Sequence, residues 1–195
     1  MNVLVIYAHP SKNSLNHAIK EAFLEGLKKA GHTYELSDLY EDGFNPILSE
    51  SELKHGEVPS DIQVYREKIN KADYIAFIFP IWWYRAPAIL EGWLDRVFSS
   101  DFGFKYVPMF GERFYRPVGL LCEKKVISIE TYGGPKIYYW FLVPFAPFKR
   151  FKKGVLGFCG IKKVLHYPLY SAAFKDPVPK KKFLEAVRKI GEKIN

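Results

Sequence analysis

MNVLVIYAHPSKNSLN, residues 1–16, is the stretch that decides the fold. Val3 to Tyr7 form an unbroken apolar run led by β-branched side chains, which predicts a strand buried on both faces. The run breaks at Ala8-His9-Pro10 into a polar loop. Beyond it, Leu15, Ala18, Ile19, Ala22, Phe23, Leu27 and Ala30 recur at helical spacing, with Ser14 placed to cap the start and Gly31 where a helix ends. Buried strand, loop and amphipathic helix together make a β-loop-α unit.

The alternation continues outward. Thr33 to Leu39 predicts a second strand, Asp61 to Asn70 a helix, and Tyr74 to Phe79 an apolar strand stopped by Pro80. Pro87 opens a helix carrying Ile89, Leu90, Trp93, Leu94, Val97 and Phe98. Lys125 to Ile129 and Val164 to Tyr167 predict a fourth and a fifth strand, and Lys180 to Ile194 a closing amphipathic helix. Strands alternating with helices imply one α/β domain over residues 1–195, a five-stranded parallel sheet with helices on both faces and right-handed crossovers. The stretches 40–60 and 100–123 carry no regular pattern and are expected at the surface or at a subunit contact.

The 195 residues, 48% of them hydrophobic, suffice for one sizeable core and fall short of two. No apolar run reaches membrane-spanning length, and neither a basic stretch nor a small-residue cleavage site precedes the first strand; the expectation is a soluble, cytoplasmic protein. Cys122 and Cys159 stand 37 positions apart without CxxC pairing. They indicate neither a disulfide framework nor a zinc site, no metal is expected, and both are expected as buried thiols. The formal charge of +8 is uneven: residues 1–100 carry 10 basic and 14 acidic side chains, residues 101–195 carry 19 and 7. Such asymmetry attracts anionic cofactors as readily as nucleic acid, and no helix-turn-helix, zinc-finger or RNP-type signature accompanies it. Nucleic acid is therefore not an expected partner.

In an open parallel sheet, ligands bind outside the carboxyl ends of the strands, which directs attention to loops 8–14, 80–85 and 131–135. With no GxGxxG and no GxxxxGK[ST], neither a dinucleotide-binding Rossmann unit nor a P-loop is present. The first loop sets His9, Ser14 and Asn16 beside a helix N-terminus, where free N–H groups and the helix dipole favour a phosphate; the plainer alternative is that Ser14 is an ordinary cap and His9 a loop histidine. The second, Pro80-Ile81-Trp82-Trp83-Tyr84-Arg85, places three aromatics at a strand end, where they can wall a flat ligand. In the third, Thr131-Tyr132-Gly133-Gly134, two glycines allow close main-chain approach to a ligand, or simply form a turn.

Residues 79–98, FPIWWYRAPAILEGWLDRVF, resemble the signature of the NAD(P)H:quinone oxidoreductase family, which includes flavin-binding ancillary proteins of potassium-efflux systems. Tyr7-Ala8-His9-Pro10 with Ser14-Leu15-Asn16, Gly103-Phe104-Lys105-Tyr106, Thr131-Tyr132-Gly133-Gly134 and Leu156 to Ile161 match further family segments in the same order. The resemblance spans residues 2–161. It implies a flavodoxin-like fold, a homodimer, and FMN or FAD lying across the three loops, with NAD(P)H as co-substrate and a quinone-like small molecule as acceptor. His9, Ser14, Leu15 and Asn16 would then meet the phosphate; Pro80, Ile81, Trp82, Trp83 and Tyr84 would border the isoalloxazine; Thr131, Tyr132, Gly133 and Gly134 would contact its pyrimidine end. Tyr106 would roof the pocket across the dimer. A helix begun by Pro135, with Lys136, is placed to stabilise negative charge at the pyrimidine end.

The chain departs from the family at Lys105, Arg85 and Tyr132, where smaller or different residues are usual, so the acceptor pocket is expected to differ. Tyr138 or Tyr139 would supply the family's catalytic tyrosine, but no histidine follows until His166. Two other readings of the same fold are a flavodoxin-like electron carrier, whose acidic docking face is missing here, and a regulatory flavin-binding subunit of a membrane transporter. Finally, IYYWFLVPFAPF (137–148) is half aromatic and is followed by Lys149, Arg150, Lys152 and Lys153. Its rings are expected at a dimer contact or the pocket, or in peripheral contact with an anionic membrane.

Overall fold

The computed structural model describes residues 1–109, 113–141, 146–174 and 176–195, without the side chains of His55, Trp140 and Ala146. Residues 142–145 and the Trp140 ring, part of the aromatic segment above, lie outside the described residues. In chain order the elements are β1 (Asn2–Tyr7), α1 (Leu15–Lys29), β2 (Thr33–Asp38), α2 (Glu50–His55), α3 (Ser60–Lys71), β3 (Tyr74–Ile81), α4 (Ala88–Val97), β4 (Phe104–Met109), β5 (Phe114–Gly119), β6 (Lys125–Tyr132), α5 (Lys136–Phe141), α6 (Ala146–Lys149), a π-helical turn (Arg150–Leu156), β7 (Lys163–Leu169) and α7 (Pro177–Glu192).

Five strands form one parallel sheet in the order β2-β1-β3-β6-β7. The apolar runs become its interior: Val3 to Ala8 and Ile75 to Phe79 are all at 1% exposure or less. Alternate side chains build two cores. Val3, Val5, Ile127 and Ile129 face Phe23 and Leu27 of α1 and Val187 of α7, while Leu4, Ile6, Phe77 and Phe79 face Ile62, Trp93 and Phe151. Burying a side chain of this size stabilises the fold by about 1.5–3 kcal/mol relative to leaving it exposed.

Helix α7 lies close across α1 because glycines face the contact. A Cβ on Gly26 would fall 2.1 Å from the carbonyl oxygen of Arg188, and one on Gly191 2.6 Å from that of Phe23. Ion pairs Lys29–Glu192 at 3.0 Å and Arg188–Glu25 at 3.5 Å flank the crossing.

Several expectations need correction. β3 does not stop at Pro80 but runs to Ile81, with Pro80 opposite Thr131 in register. The reason is directional: the Ile78 carbonyl accepts from Ala8 N–H on the β1 side at 3.1 Å, and Pro80 points the same way two residues later, beyond β1's last pairing. Its missing N–H therefore breaks no ladder bond. Within 40–60, α2 is capped by Ser49, whose hydroxyl accepts from Glu52 N–H while the Glu52 carboxylate accepts from Ser49 N–H. Glu52 also receives Arg96 Nε of α4 at 2.8 Å, both side chains at 7% exposure or less. Within 100–123, β4 and β5 form an antiparallel two-stranded ribbon. Cys159 is buried as expected, but Cys122 is exposed, its thiol donating to the Gly119 carbonyl at 3.3 Å.

Candidate functional site

Because β1, β3 and β6 are neighbours, the three loops identified from sequence emerge side by side at their carboxyl ends. Contacts stitch them together. The His9 and Trp82 rings lie 5.8 Å apart, Asn16 Nδ2 donates to Thr131 Oγ1 at 2.9 Å, and Tyr84 meets Tyr139 at 5.5 Å.

In the first loop Ser14 serves as the cap, accepting from His17 N–H at 3.1 Å and donating to the Ser11 carbonyl at 2.8 Å. The amides of Leu15 and Asn16 precede the helix's own hydrogen-bond ladder and can serve a ligand. Asn16 is buried and its side chain is engaged by Thr131, so that what it can offer a ligand is its main-chain N–H. His9 is half-buried; burial lowers its imidazole below the ordinary histidine range, against a smaller opposing effect from Ser11. Its Nδ1 lies 3.0 Å from Ser11 N and 3.3 Å from the Ser11 carbonyl oxygen, which fixes the ring over the loop.

The second loop has an uncommon backbone. Trp83 and Tyr84 take φ of 49° and 60°, while Trp82 and Arg85 exchange N–H···O bonds of 2.9 and 3.0 Å. These are the φ values of a hairpin turn that normally takes Asn-Gly, and for bulky side chains left-handed backbone costs about 1–2 kcal/mol per residue. The N–H groups of Trp83 and Tyr84 stand outside that exchange. Trp83 is 90% exposed, Trp82 and Tyr84 about half as much, and Arg85 is exposed, whereas Pro80 and Ile81 are buried and offer only main chain.

In the third loop Gly133 is exposed, and a Cβ there would meet nothing within 4 Å. Tyr132 is 2% exposed; its hydroxyl donates to Glu130, a residue that reading the sequence did not single out. Burial first, and then the Glu130 charge, hold that hydroxyl far above the ordinary tyrosine range. Tyr132 thus brings main chain to the site and turns its ring inward, against Tyr139 at 4.8 Å and Tyr170 at 4.7 Å. Tyr138 is 51% exposed, while Tyr139 is half-buried and raised by burial. Behind the loop, Tyr132, Lys136, Tyr139, Phe148, His166 and Tyr170 border a cavity of about 390 Å³. The signal for Glu130 was present: Ser128 and Glu130 interrupt an otherwise apolar strand at alternate positions.

Lys105 and Tyr106 lie on the exposed β4–β5 ribbon; Tyr106 packs on Phe104 at 5.6 Å, and Phe104 on Phe158 at 4.7 Å. Among the described residues, no group of His, Cys, Asp and Glu is arranged to hold a metal ion.

Three adjacent carboxyl-end loops on a 2-1-3-6-7 parallel sheet match a known pattern. A family model described as a flavodoxin-like fold aligns with residues 1–194. The chain belongs to this flavodoxin-like family. Among relatives, NAD(P)H dehydrogenase [quinone] 1 of Rattus norvegicus is 30% identical over 215 residues, covering 95% of this chain and 74% of the rat protein. An uncharacterized NAD(P)H oxidoreductase of Haemophilus influenzae is 39% identical over 169 residues, covering 84% of this chain and 81% of that protein. A solved NAD(P)H:quinone oxidoreductase from Methanothermobacter marburgensis superposes with a TM-score of 0.83 at 30% identity, covering 98% of this flavodoxin-like chain and 96% of its own.

Proposed function

We propose that this chain is a flavin-dependent oxidoreductase that transfers a hydride from NAD(P)H through bound FMN or FAD to a quinone-like or other small acceptor. The observation that carries the reading is the left-handed Trp83-Tyr84 turn, with its N–H groups outside the Trp82–Arg85 exchange, beside the bare Gly133 main chain at the ends of two neighbouring strands; between these two loops we place the ligand's slot. A flat heteroaromatic ring with polar edges fits such a slot, and a phosphate fits the start of α1. The amides of Leu15 and Asn16 would hold the phosphate, with His9 and Ser14 shaping the loop. The main chain of Trp82, Trp83 and Tyr84 would bind one edge of the ring, and that of Thr131 to Gly134 the other. When bound, the flavin supplies the hydride chemistry itself.

The protein's part is to orient the ring and leave one face open. Of the two candidate catalytic tyrosines, Tyr139 is held by neighbours on three sides and is the one we assign to the ring's edge. Exposed Arg85 and Lys105 favour anionic nucleotides or acceptors. A homodimer completes the proposal. It is supported by a groove of about 670 Å³ bordered by Leu53, Val58, Phe104 and Phe158, by exposed Ile47 and Leu53, and by the ribbon carrying Tyr106. No described helix is long and apolar enough to cross a membrane, and the cytoplasm is the proposed compartment.

Absorbance and mass of the ligand released from purified protein, followed by steady-state oxidation of NADH and NADPH with a soluble quinone, test this reading. A colourless sample that binds no added flavin would overturn it. Flavin bound without turnover would favour the electron carrier, and co-purification with a membrane protein the regulatory subunit.

A further inference from the structure

Glu130 is fully buried on a face of the sheet that carries a large apolar core. Ser128, Glu130 and Tyr132 alternate along that face of β6, and His166 of β7 stands opposite Ser128. The carboxylate accepts from Ser128 Oγ at 2.5 Å and from the Tyr132 hydroxyl, and lies 3.0 Å from His166 Nε2. The His166 ring is stacked on Phe148, centroids 3.5 Å apart and planes at 6°. A buried carboxylate is tolerable only with such donors, and packed hydrocarbon would stabilise the fold at least as well.

What the carboxylate adds is direction. It fixes the Tyr132 hydroxyl inward, and the Tyr132 ring meets Tyr139 edge-on at 4.8 Å and 75°. Tyr139 in turn meets Tyr84 at 5.5 Å and 60°. A strut of tyrosines therefore runs from Glu130 to the left-handed turn of the second loop. The third loop is clamped separately, by Ser171 N–H on the Gly134 carbonyl and Ala172 N–H on the Tyr132 carbonyl, both at 2.9 Å.

We infer that Glu130 is a positioning residue: acting through Tyr132, it sets Tyr139 and the spacing between the 82–85 turn and the 131–134 loop. The inference rests on the flavin reading of the slot. Tyr132 is no proton donor in the reaction, because its hydroxyl stays committed to Glu130.

The experiment compares Glu130→Gln, Glu130→Leu, Tyr132→Phe and the Glu130→Leu/Tyr132→Phe pair. FMN is titrated with flavin-free protein by fluorescence quenching, and each protein is examined by near-ultraviolet circular dichroism and thermal melting. Glu130→Gln keeps an acceptor oxygen and should bind FMN much as the parent does. Glu130→Leu and Tyr132→Phe should each weaken binding by about tenfold, the scale of one directional hydrogen bond. The pair should be no weaker than Glu130→Leu alone, since the two residues act in series. Glu130→Leu retains every tyrosine, so a diminished near-ultraviolet signal in the flavin-free protein reports a loosened strut directly. Cooperatively melting Glu130→Leu and Tyr132→Phe proteins with parental FMN affinity and spectra, or additive losses in the pair, would overturn the inference. If Glu130→Leu does not fold, Tyr132→Phe against Glu130→Gln decides it. A parent protein that binds neither FMN nor FAD sinks the functional reading instead, and the near-ultraviolet comparison then decides the strut alone.

Discussion

Asn16 near the start of α1 and Thr131 near the end of β6 share a buried hydrogen bond of 2.9 Å across 115 residues of sequence. It ties α1 to the strand whose following loop holds the glycines. Asn16→Ala removes the bond and leaves Thr131 unpaired, and should lower stability by about 1–3 kcal/mol. Asn16→Asp should weaken FMN binding beyond that, because it also sets a carboxylate beside the proposed phosphate. Melting curves and flavin titrations separate the two; equal FMN affinity for the Ala and Asp proteins would refute the phosphate assignment at this helix.

Trp83 is 90% exposed yet held at φ 49°, so its side chain returns little burial for the strain it imposes. Trp83→Gly should raise stability by about 1 kcal/mol through relief of the left-handed backbone. The same change removes one wall of the slot and should raise KM for the acceptor. Chemical denaturation together with steady-state kinetics checks both halves.

Acid stability should depend on Glu52. Burial alone would push its carboxyl up, but hydrogen bonds from Arg96 and Ser49 outweigh burial and hold it below the ordinary glutamate range. A carboxyl lowered on folding stabilises above its unfolded pKa of about 4.3, and that contribution is lost as pH falls through the lower folded value. Glu52→Gln should therefore be less stable at pH 7, with the deficit shrinking below about pH 4. Urea unfolding of both proteins across that range measures it; a constant deficit at all pH values would contradict the assignment.

Ile137, Tyr138 and Phe141 of the short α5 helix are each more than half exposed, and Lys149, Lys152 and Lys153 follow eight to twelve positions after Phe141. Peripheral binding to anionic vesicles is the expected result at low salt, fading as salt rises, with Ile137→Ser/Phe141→Ser sedimenting less. Equal recovery of both proteins in the supernatant would reassign these side chains to the dimer contact or the pocket. Phe148, from the same segment, is already accounted for by its stack on His166.

The three central strands were legible because strands buried on both faces announce themselves as apolar runs, and the more polar, partly buried edge strands β2 and β7 from their place in the alternation; all five appeared at the expected places. Pro80 misled because a proline's effect on a strand depends on which neighbour its missing N–H would face, a property of pairing rather than of sequence. The β4–β5 ribbon escaped notice since seven of its twelve positions are exposed and Pro108, Pro117 and Gly119 fall within it, which erases the period-two pattern. Helix α2 was readable after all, through the Ser49-x-x-Glu52 capping signal. In the site, the loops were legible and the inward turn of Tyr132 was not. Its hydroxyl is held by Glu130, whose other neighbour His166 lies 36 residues further along and is brought beside it only by strand pairing.

The glycine-mediated crossing of α1 and α7 bears on when the site can be assembled during synthesis. The helix proposed to offer its first amides to a phosphate packs beside residues 177–192 on the same face of the sheet, so that flank stays bare until the last helix has been made. A chain still lacking α7 would carry all three loops yet hold the first of them on an unsupported helix. Binding competence should therefore arrive late and abruptly on the ribosome, with the cofactor captured after release rather than during elongation.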